Sequence, residues 1–323
     1  MDIEVPKRRA GACGVHSVNR FVYTVPDIDE AQRFYETFGL DVSRDGKRLL
    51  LGAFGHAHQW GEVHEAGEAK ELQYVSFGMD ACDEQAMRQR IADLGIGCEP
   101  HALSDGSGLW LRNPDGTPWQ LVVGDKVSPS LKSTRMESRA VEPGQGAAPH
   151  RQHVQQVRPR YLSHVLFFTP DVPRMVKFST DVLGLRLSDH SGDGIAFMHG
   201  VHGSDHHLVA FAKSVAPGLH HSSWDVGSLD DVGCGAEQMQ QAGYTRGWGV
   251  GRHVLGSNYF YYVRDPWGSY AEYSFDIDYV PHDLDWPAAD HAPADSLYVW
   301  GPPLPADFIT NFEPKAQAAS AAA

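Results

Sequence analysis

Two histidines and a glutamate in the C-terminal half of the chain have the side-chain chemistry of a mononuclear metal site. They are His164, His221 and Glu272. Two imidazoles and one carboxylate, each from a different strand, make the facial ligand set that leaves adjacent coordination positions open, as in non-haem Fe(II) oxygenases. A single histidine at the start of an apolar strand is more often a buried structural residue, so the assignment depends on the pattern around it.

Residues 251–275 predict how the glutamate is held. Two runs of aromatic and β-branched residues flank a turn that contains Pro and Gly, which is the pattern of a β-hairpin. Pairing that is symmetric about Trp267 places Tyr262 opposite Glu272 on one face, with Cβ atoms about 5 Å apart. His253 lies close by, so rigid strands would present an imidazole, a phenol and a carboxylate together. An ordinary hairpin with a surface glutamate has the same local pattern.

An internal repeat identifies the elements that must position these residues. Residues 17–27 and 163–171 each predict a strand that ends in Pro-Asp and is followed by a helix that stops at a glycine. A second strand-helix unit follows in each half. The four predicted helices cover residues 29–37, 82–94, 173–182 and 231–242. The sequence therefore predicts an α+β protein of two tandem homologous halves, each made of two strand-helix-strand-strand-strand units.

Alignment of the two halves separates residues that the fold needs from residues that chemistry needs. A residue required only by the fold should occur in both copies. The three candidate metal ligands correspond in the first half to Arg20, Tyr74 and Gln120, none of which has the ligand chemistry of its counterpart. The joint loss of all three favours a metal site in the second half over three unrelated structural residues.

Composition excludes several classes of function. Lys and Arg number 27 against 41 Asp and Glu, and the resulting charge of −14 argues against a nucleic-acid or anionic-membrane partner. The four cysteines have no CxxC spacing, so neither a disulfide framework nor a cysteine zinc site is indicated. The N-terminus has no apolar run of the signal-peptide kind and no stretch is long enough to span a membrane, so we expect a cytoplasmic protein.

The domain organisation follows from the repeat and from shifts in composition. We expect an N-terminal domain without metal ligands over residues 1–126, a linker or arm over 127–160, a catalytic domain over 161–312 and a flexible tail over 313–323. The stretch after Phe275 is longer than a bare strand-helix module needs. It could cover the site.

The hairpin resembles a known family signature. His253, Tyr262, the Asp-Pro-Trp-Gly turn at 265–268 and Glu272 are similar to the motif of the type I extradiol ring-cleavage dioxygenases of the vicinal oxygen chelate superfamily. The resemblance covers about residues 15–125 and 160–276. It implies half-open barrels of βαβββ modules, a catecholic substrate, O2 and a bound Fe(II), or Mn(II) as in some members. A symmetric homo-oligomer is the default expectation for such a protein.

The resemblance also implies roles for individual residues. It implies metal ligation by His164, His221 and Glu272. It places an acid-base histidine at His207, on a strand predicted over 205–211, and a hydrogen-bonding pair for substrate and oxygen at His253 and Tyr262.

Four neighbouring histidines receive structural roles. Strand side chains alternate between faces, so His206 and His220 should point away from His207 and His221 and be structural or solvent-facing. A Gly-rich turn contains the other two, His199 and His202, which we expect to be loop residues.

Two other classes remain open at this point. The same superfamily includes metal-dependent isomerases and thiol transferases, which usually draw metal ligands from both halves or both subunits. A metal-free protein that binds and sequesters a small molecule is the other class. The empty first half and the His253–Tyr262 pair favour the dioxygenase.

Overall fold

The computed structural model describes residues 7–136 and 141–315, together with residue 318. The described strands form a seven-stranded sheet, a ten-stranded sheet and a separate pair. The first half contains β1 (Val15–Val25), β2 (Asp41–Asp45), β3 (Arg48–Gly52), β4 (Gln59–Glu65), β5 (Glu71–Met79), β6 (Leu109–Arg112) and β7 (Pro118–Val123). Its helices are α1 (Ile28–Phe38) and α2 (Glu84–Leu94), with a 3-10 turn at Ala81–Asp83.

The second half repeats this order and adds an extension. After a 3-10 turn at Arg151–His153, the strands are β8 (Tyr161–Thr169), β9 (Arg186–Ser191), β10 (Ile195–His199), β11 (Ser204–Asp205), β12 (Val209–Lys213), β13 (Gly218–Asp225), β14 (Gly247–His253), β15 (Tyr259–Arg264) and β16 (Tyr270–Phe275). The helices are α3 (Val172–Phe178), continued by a π-helical turn at Ser179–Leu183, and α4 (Leu229–Gln241). The extension contains β17 (Tyr279–Val280), β18 (Ala289–Asp290), α5 (Pro293–Ser296) and β19 (Tyr298–Trp300).

The predicted helices form where capping residues place them. Asp27 accepts a hydrogen bond from the Glu30 amide at the start of α1, and Gly39 ends this helix with a φ of 97°, a left-handed conformation that glycine adopts without strain. Asp171 and Ser228 cap α3 and α4 in the same way. These caps explain why the sequence located α1, α3 and α4 closely.

The two sheets have the same internal symmetry. In the first sheet the order is β2-β3-β4-β1-β5-β7-β6, with β1 and β5 antiparallel at its centre. In the second, β8 and β13 form the equivalent antiparallel pair, within the order β18-β9-β10-β12-β8-β13-β16-β15-β14-β19. The predicted α+β class and the tandem repeat are confirmed.

The second unit of the first half departs from the predicted βαβββ pattern. After α2 it has two strands, and the expected third is reduced to a single bridge between Gly97 and Leu111. Ser104 and Asp105 accept hydrogen bonds from the amides of Gly106 and Ser107. Such local bonds compete with sheet pairing, which explains the irregular segment.

The two halves pack into one hydrophobic core. Phe38 of α1 stacks on Tyr273 of β16 at 4.0 Å between ring centroids, and Trp60 meets Trp224 edge-on at 6.1 Å. The division into domains at the expected residues stays a prediction.

The segment 127–160 is an arm over both halves. The Arg160 guanidinium donates to buried Asp225, and the amide of Val157 donates to Gln238 of α4. On the first half, the Gln156 side chain donates to the carbonyl of Glu36. Its residues 137–140 lie outside the described part of the chain.

The flexible tail expected over residues 313–323 was placed to start too early in the chain. Glu313 is buried, and its carboxylate accepts hydrogen bonds from the amides of Leu72 and Leu219. This residue is therefore anchored rather than flexible. Most of residues 316–323 lie outside the described part of the chain.

Two sequence-based expectations concern the chain as a whole. Cys13, Cys82, Cys98 and Cys234 are all free thiols, as expected. Over residues 7–136 and 141–315, no helix combines the length and apolar character that crossing a bilayer requires.

Candidate active site

The hairpin pairs as its sequence predicts. Tyr262 on β15 lies opposite Glu272 on β16. The neighbouring strand β13 carries Ser223, which pairs with Glu272 on one side and with His164 on the other. Because these strands are adjacent, residues 108 positions apart in sequence flank the same point of the sheet.

The three candidate ligand side chains converge. Nε2 of His164 is 3.2 Å from Nε2 of His221 and 3.3 Å from Oε2 of Glu272, and the third separation is 3.5 Å. Ligand atoms about 2.1 Å from one ion and at right angles to each other lie about 3.0 Å apart. The triangle of the three donor atoms is close to that size, so a six-coordinate divalent ion could be bound by all three.

The donor set also fits a cation chemically. Glu272 Oε2 is fully buried and has no hydrogen-bond partner among the described residues. A buried carboxylate oxygen without a partner is costly, and an ion on the face of the triangle would satisfy it. The residues present therefore fit a divalent metal.

Local electrostatics keep the set in its ligand form. Burial raises the pKa of Glu272, but the interaction with the His164 ring outweighs it and holds the pKa below its ordinary value, so the carboxyl is ionised. Burial, helped by the rings of His220 and His164, lowers the pKa of His221 well below its ordinary value. That imidazole is therefore neutral and can offer a lone pair.

The structure overturns the expectation for His220. The pairing of β13 with β8 shifts register between Leu219 and His221, so His220 is the extra residue of a β-bulge. The bulge breaks the alternation of faces, and His220 is buried beside His221 with their Nδ1 atoms 2.6 Å apart. It lines the same cavity as His164 and His221.

His220 determines which nitrogen of His221 is free. Burial lowers the pKa of His220 to about 4, so this ring is neutral and carries one N–H. Its Nε2 donates to the carbonyl of Phe308 at 2.8 Å. Its Nδ1 must then accept from the Nδ1–H of His221, which leaves Nε2 of His221 as the lone pair that faces Glu272.

His253 and Tyr262 form a hydrogen-bonded pair. Nδ1 of His253 donates to the carbonyl of Leu297 at 2.7 Å, so in the neutral ring Nε2 accepts from the Tyr262 hydroxyl at 2.9 Å. Burial lowers the pKa of His253. Burial and the charge of Glu272 raise the pKa of Tyr262 well above its ordinary value, so the phenol stays protonated.

His207 lies beside the candidate ligands but not on a strand. The predicted strand over 205–211 is interrupted at residues 206–208, between β11 and β12. The ring of His207 is 4.0 Å from that of His164, between centroids. Burial and the neighbouring imidazoles lower the pKa of His207 well below its ordinary value, so it is neutral and able to accept a proton.

The expectation of a solvent-facing or merely structural His206 also fails in part. Its side chain is fully buried, because the interruption removes the strand alternation that was to turn it away. It is in hydrogen-bond contact with His207, at 3.1 Å between Nδ1 atoms.

The remaining two histidines, which were expected in a loop, are both buried, and one of them lies on a strand. His199 ends β10, and its Nδ1 lies 2.7 Å from the Ser188 hydroxyl. His202 is in the turn as expected and lies near Asp80 and Asp83. The guanidinium of Arg8 is paired with both carboxylates, so a cation already neutralises this second cluster.

A small cavity of about 80 Å³ adjoins two of the three candidate ligands, His164 and His221. Its apolar lining includes Phe197 and Leu166 from the sheet and Leu297, Phe308 and Ile309 from the C-terminal extension. The stretch after Phe275 therefore covers the site, as the sequence indicated. Among the described residues that line the cavity there is no Lys or Arg.

Asn258 is a lining residue that sequence reasoning missed. Its Nδ2 donates to Glu272 Oε1 at 3.2 Å and to the Ser274 hydroxyl at 3.0 Å, while its Oδ1 is buried without a partner among described residues. The sequence could have indicated this residue, because Asn258 and Tyr262 are separated by an even number of positions and so are expected on the same face of the hairpin.

The corresponding place in the first half is filled. The Arg20 guanidinium pairs with buried Glu62 at 2.8 Å. Tyr74 and Trp110 pack together there at 5.1 Å between ring centroids, where the second half has His221 and Tyr262. These side chains leave no comparable set of ligands.

Comparison with known proteins places this geometry in a family. The family model described as the Glyoxalase/Bleomycin resistance protein/Dioxygenase superfamily matches residues 161–273. The chain is 50% identical over 301 residues to metapyrocatechase 2 of Cupriavidus necator, covering 93% of each sequence.

Solved structures share the fold. A Mn(II)-bound glyoxalase from Novosphingobium aromaticivorans is 26% identical with a TM-score of 0.70, and the match covers 93% of this chain and 98% of that one. Homoprotocatechuate 2,3-dioxygenase from Brevibacterium fuscum shares the fold with a TM-score of 0.73 at 21% identity, over 97% of this chain and 87% of that one. With half of its residues identical to a metapyrocatechase along nearly the whole chain, this protein belongs to the type I extradiol dioxygenases of the vicinal oxygen chelate superfamily.

Proposed function

We propose that the protein cleaves the ring of a neutral, monocyclic catechol beside its diol, using O2 and an Fe(II) ion held by His164, His221 and Glu272. The observation that carries the proposal is the triangle of donor atoms 3.2 to 3.5 Å apart around a buried carboxylate oxygen without a partner. One carboxylate and two imidazoles leave a divalent ion with a net positive charge, which suits a singly ionised catechol.

The ion would supply a common centre at which the substrate's two oxygens and O2 are held side by side and exchange electrons. The protein's own residues manage protons and orientation. His207, neutral and beside His164, accepts a proton from a substrate hydroxyl and later returns it to an oxygen atom derived from O2. The protonated Tyr262 hydroxyl, which His253 keeps beside the candidate ligands, would turn its single proton from His253 to the developing negative charge when substrate is bound.

The cavity supports a small substrate. Its volume of about 80 Å³ is below the roughly 150 Å³ of a protein cavity that holds benzene, so it favours one ring over two, and part of its wall is apolar. A carboxylated catechol would need a cationic partner, and the described lining has none. We therefore expect catechol and alkylcatechols to be turned over in preference to bicyclic or carboxylated diols.

The test begins with metal content and oxygen uptake. Protein purified without oxygen should contain about one iron per chain, and added catechol should consume one O2 and yield a yellow ring-opened hydroxy-dienoate. His221→Ala should lose the iron, whereas His207→Phe should keep it and lose turnover. The matched control is His153→Ala, a change to an exposed histidine of the arm. A His221→Ala protein with full iron and normal turnover would refute the ligand assignment.

The same measurement separates the metal ions and the rival classes. Reconstitution with Fe(II) or Mn(II) in turn identifies the active ion, which we propose is Fe(II). An isomerase or thiol transferase would act without consuming oxygen, and a sequestering protein would bind a ligand without product. Oxygen uptake absent across a broad panel of catechols would contradict the proposal. The cytoplasmic location and the homo-oligomer stay predictions, testable by fractionation and by light scattering.

A further inference from the structure

A buried carboxylate and a second imidazole form a hydrogen-bonded chain that ends on His207. Oδ2 of Asp189, on β9, is 2.9 Å from Nε2 of His206. The other ring nitrogen of His206, Nδ1, is 3.1 Å from Nδ1 of His207. The two rings are perpendicular, and all three side chains are buried.

Asp189 is held as a pure acceptor. The amide of Ala289 donates to its Oδ1 at 3.0 Å, and the indole of Trp286 donates to its Oδ2 at 3.2 Å. Burial raises the pKa of Asp189, but the hydrogen bonds it accepts outweigh burial and bring the pKa to about 2. An ionised carboxylate only accepts, so the proton between Asp189 and His206 belongs to Nε2 of His206.

The position of that proton determines the next one. When the His206 ring carries a single N–H, on Nε2, its Nδ1 is an acceptor and takes its hydrogen bond from the Nδ1–H of His207. We propose that Asp189 and His206 are positioning residues that fix His207 in its Nδ1-protonated tautomer, with Nε2 left bare to accept the substrate proton. This inference rests on the base role of His207 in the proposed function.

The chain also supports the charge that His207 acquires. When Nε2 takes the proton of a substrate hydroxyl, the O–H bond breaks, an N–H bond forms and the ring becomes an imidazolium. Its Nδ1–H continues to donate to His206, and the negative charge of Asp189 is transmitted through the polarised His206 ring. The protons on His206 and on Nδ1 of His207 stay where they are. A buried carboxylate that orients a catalytic imidazole has the same effect in serine proteases.

The C-terminal extension completes this arrangement. Trp286 and Ala289 both belong to it, and Nε2 of His291 lies 2.9 Å from Oδ1 of Asp189. β18 pairs with β9 directly at Asp189. The extension therefore fixes the orientation of the carboxylate as well as covering the cavity.

The first test reads the tautomers directly. Long-range 15N–1H spectra of the wild-type protein, metal-free and loaded with diamagnetic Zn(II), should show His207 protonated at Nδ1 and bare at Nε2, with His206 protonated at Nε2. Signals are assigned by their loss in His206→Gln and His207→Phe. A His207 ring protonated at Nε2, or a His206 ring protonated at both nitrogens, would overturn the proposal.

The second test uses Asp189→Asn, because an amide can donate to His206 and reverse the chain. We expect the proton of His207 to move to Nε2, kcat for catechol to fall about 10- to 100-fold and iron content to stay at the wild-type level. The control is Asp290→Asn, which makes the same charge change at an exposed residue of the adjacent strand β18. It should leave the His207 tautomer and kcat unchanged. An Asp189→Asn protein with the wild-type tautomer and kcat would refute the inference.

The two readouts distinguish this inference from the proposed function. The wild-type spectra need no turnover, and the two variants serve only to assign the signals. If the tautomers are as expected but catechol is not cleaved, the proposed function fails and the positioning chain stands.

Discussion

Replacing His220 by Phe should weaken metal binding although His220 is not a ligand. The ring is enclosed by other aromatic rings, with centroids of Phe308 and Phe168 at 4.8 and 5.1 Å, so a phenyl group fits the space. The change removes two hydrogen bonds, from the Nδ1–H of His221 and to the carbonyl of Phe308. Packing is therefore retained while the polar link to His221 is lost.

The expected magnitudes follow from those two bonds. A buried polar group left without its partner costs about 1–3 kcal/mol, so two of them should destabilise the metal-free protein by about 2–6 kcal/mol. His221 also loses the acceptor that keeps its proton on Nδ1. Removal of such a partner typically lowers metal affinity about 10- to 100-fold, which equals about 1.4–2.8 kcal/mol.

Two measurements check these values. Urea unfolding of the metal-free protein reports the loss of stability, and competition with a chelator for Zn(II) or Fe(II) reports the loss of affinity. The matched control is His58→Phe, which also removes a ring N–H bond to a backbone carbonyl, that of Asn19 at 2.7 Å, but far from His221 in the other half. A folded His220→Phe protein that binds metal within about twofold of wild type would refute the role of His220.

Three further predictions concern other buried contacts. Burial, then repulsion by Asp225, raises the pKa of Asp205 to about 8, so the folded protein keeps a proton that the unfolded chain has lost. The free energy of unfolding of the wild-type protein should therefore fall by about 1.4 kcal/mol per pH unit, relative to that of Asp205→Asn, between about pH 5 and 7. A difference between the two proteins that does not change with pH would contradict this. Phe308→Ala should lower the free energy of unfolding by about 3–5 kcal/mol. Because it enlarges the cavity, it should also raise kcat/KM for dihydroxybiphenyl relative to catechol. An unchanged ratio of the two kcat/KM values would argue against Phe308 as a wall of the substrate cavity. Lys70→Met leaves the buried carboxylate of Asp265 without its cation and should destabilise the protein by about 3–5 kcal/mol, measured by denaturant unfolding. An unchanged free energy of unfolding would contradict the role of this ion pair.

Local patterns were sufficient for the fold class and for part of the site. Helix caps such as Asp27 and Asp171 act within one turn, so they locate helices without reference to the rest of the chain. The opposition of Tyr262 and Glu272 follows from one hairpin turn. Comparison of the halves then selected the three candidate ligands, because a repeated fold exposes residues that only one copy keeps.

The errors arose where strand regularity is broken. A bulge at His220 and the interruption at residues 206–208 are set by pairing with distant strands, and alternation alone predicts the wrong face for both neighbouring histidines. The anchoring of Glu313 depends in the same way on amides of Leu72 and Leu219, which are far away in sequence.

The sequence alone determined the types of the candidate ligands and the strands that carry them, because these depend on short-range pattern and on the internal repeat. Only the tertiary structure bears on which nitrogen of His221 and of His207 is free. That choice depends on the hydrogen-bond partners of the neighbouring rings, Asp189 behind His206 and the carbonyl of Phe308 behind His220. Both partners are distant in sequence and reach the site only when the strands pair and the C-terminal extension closes over them.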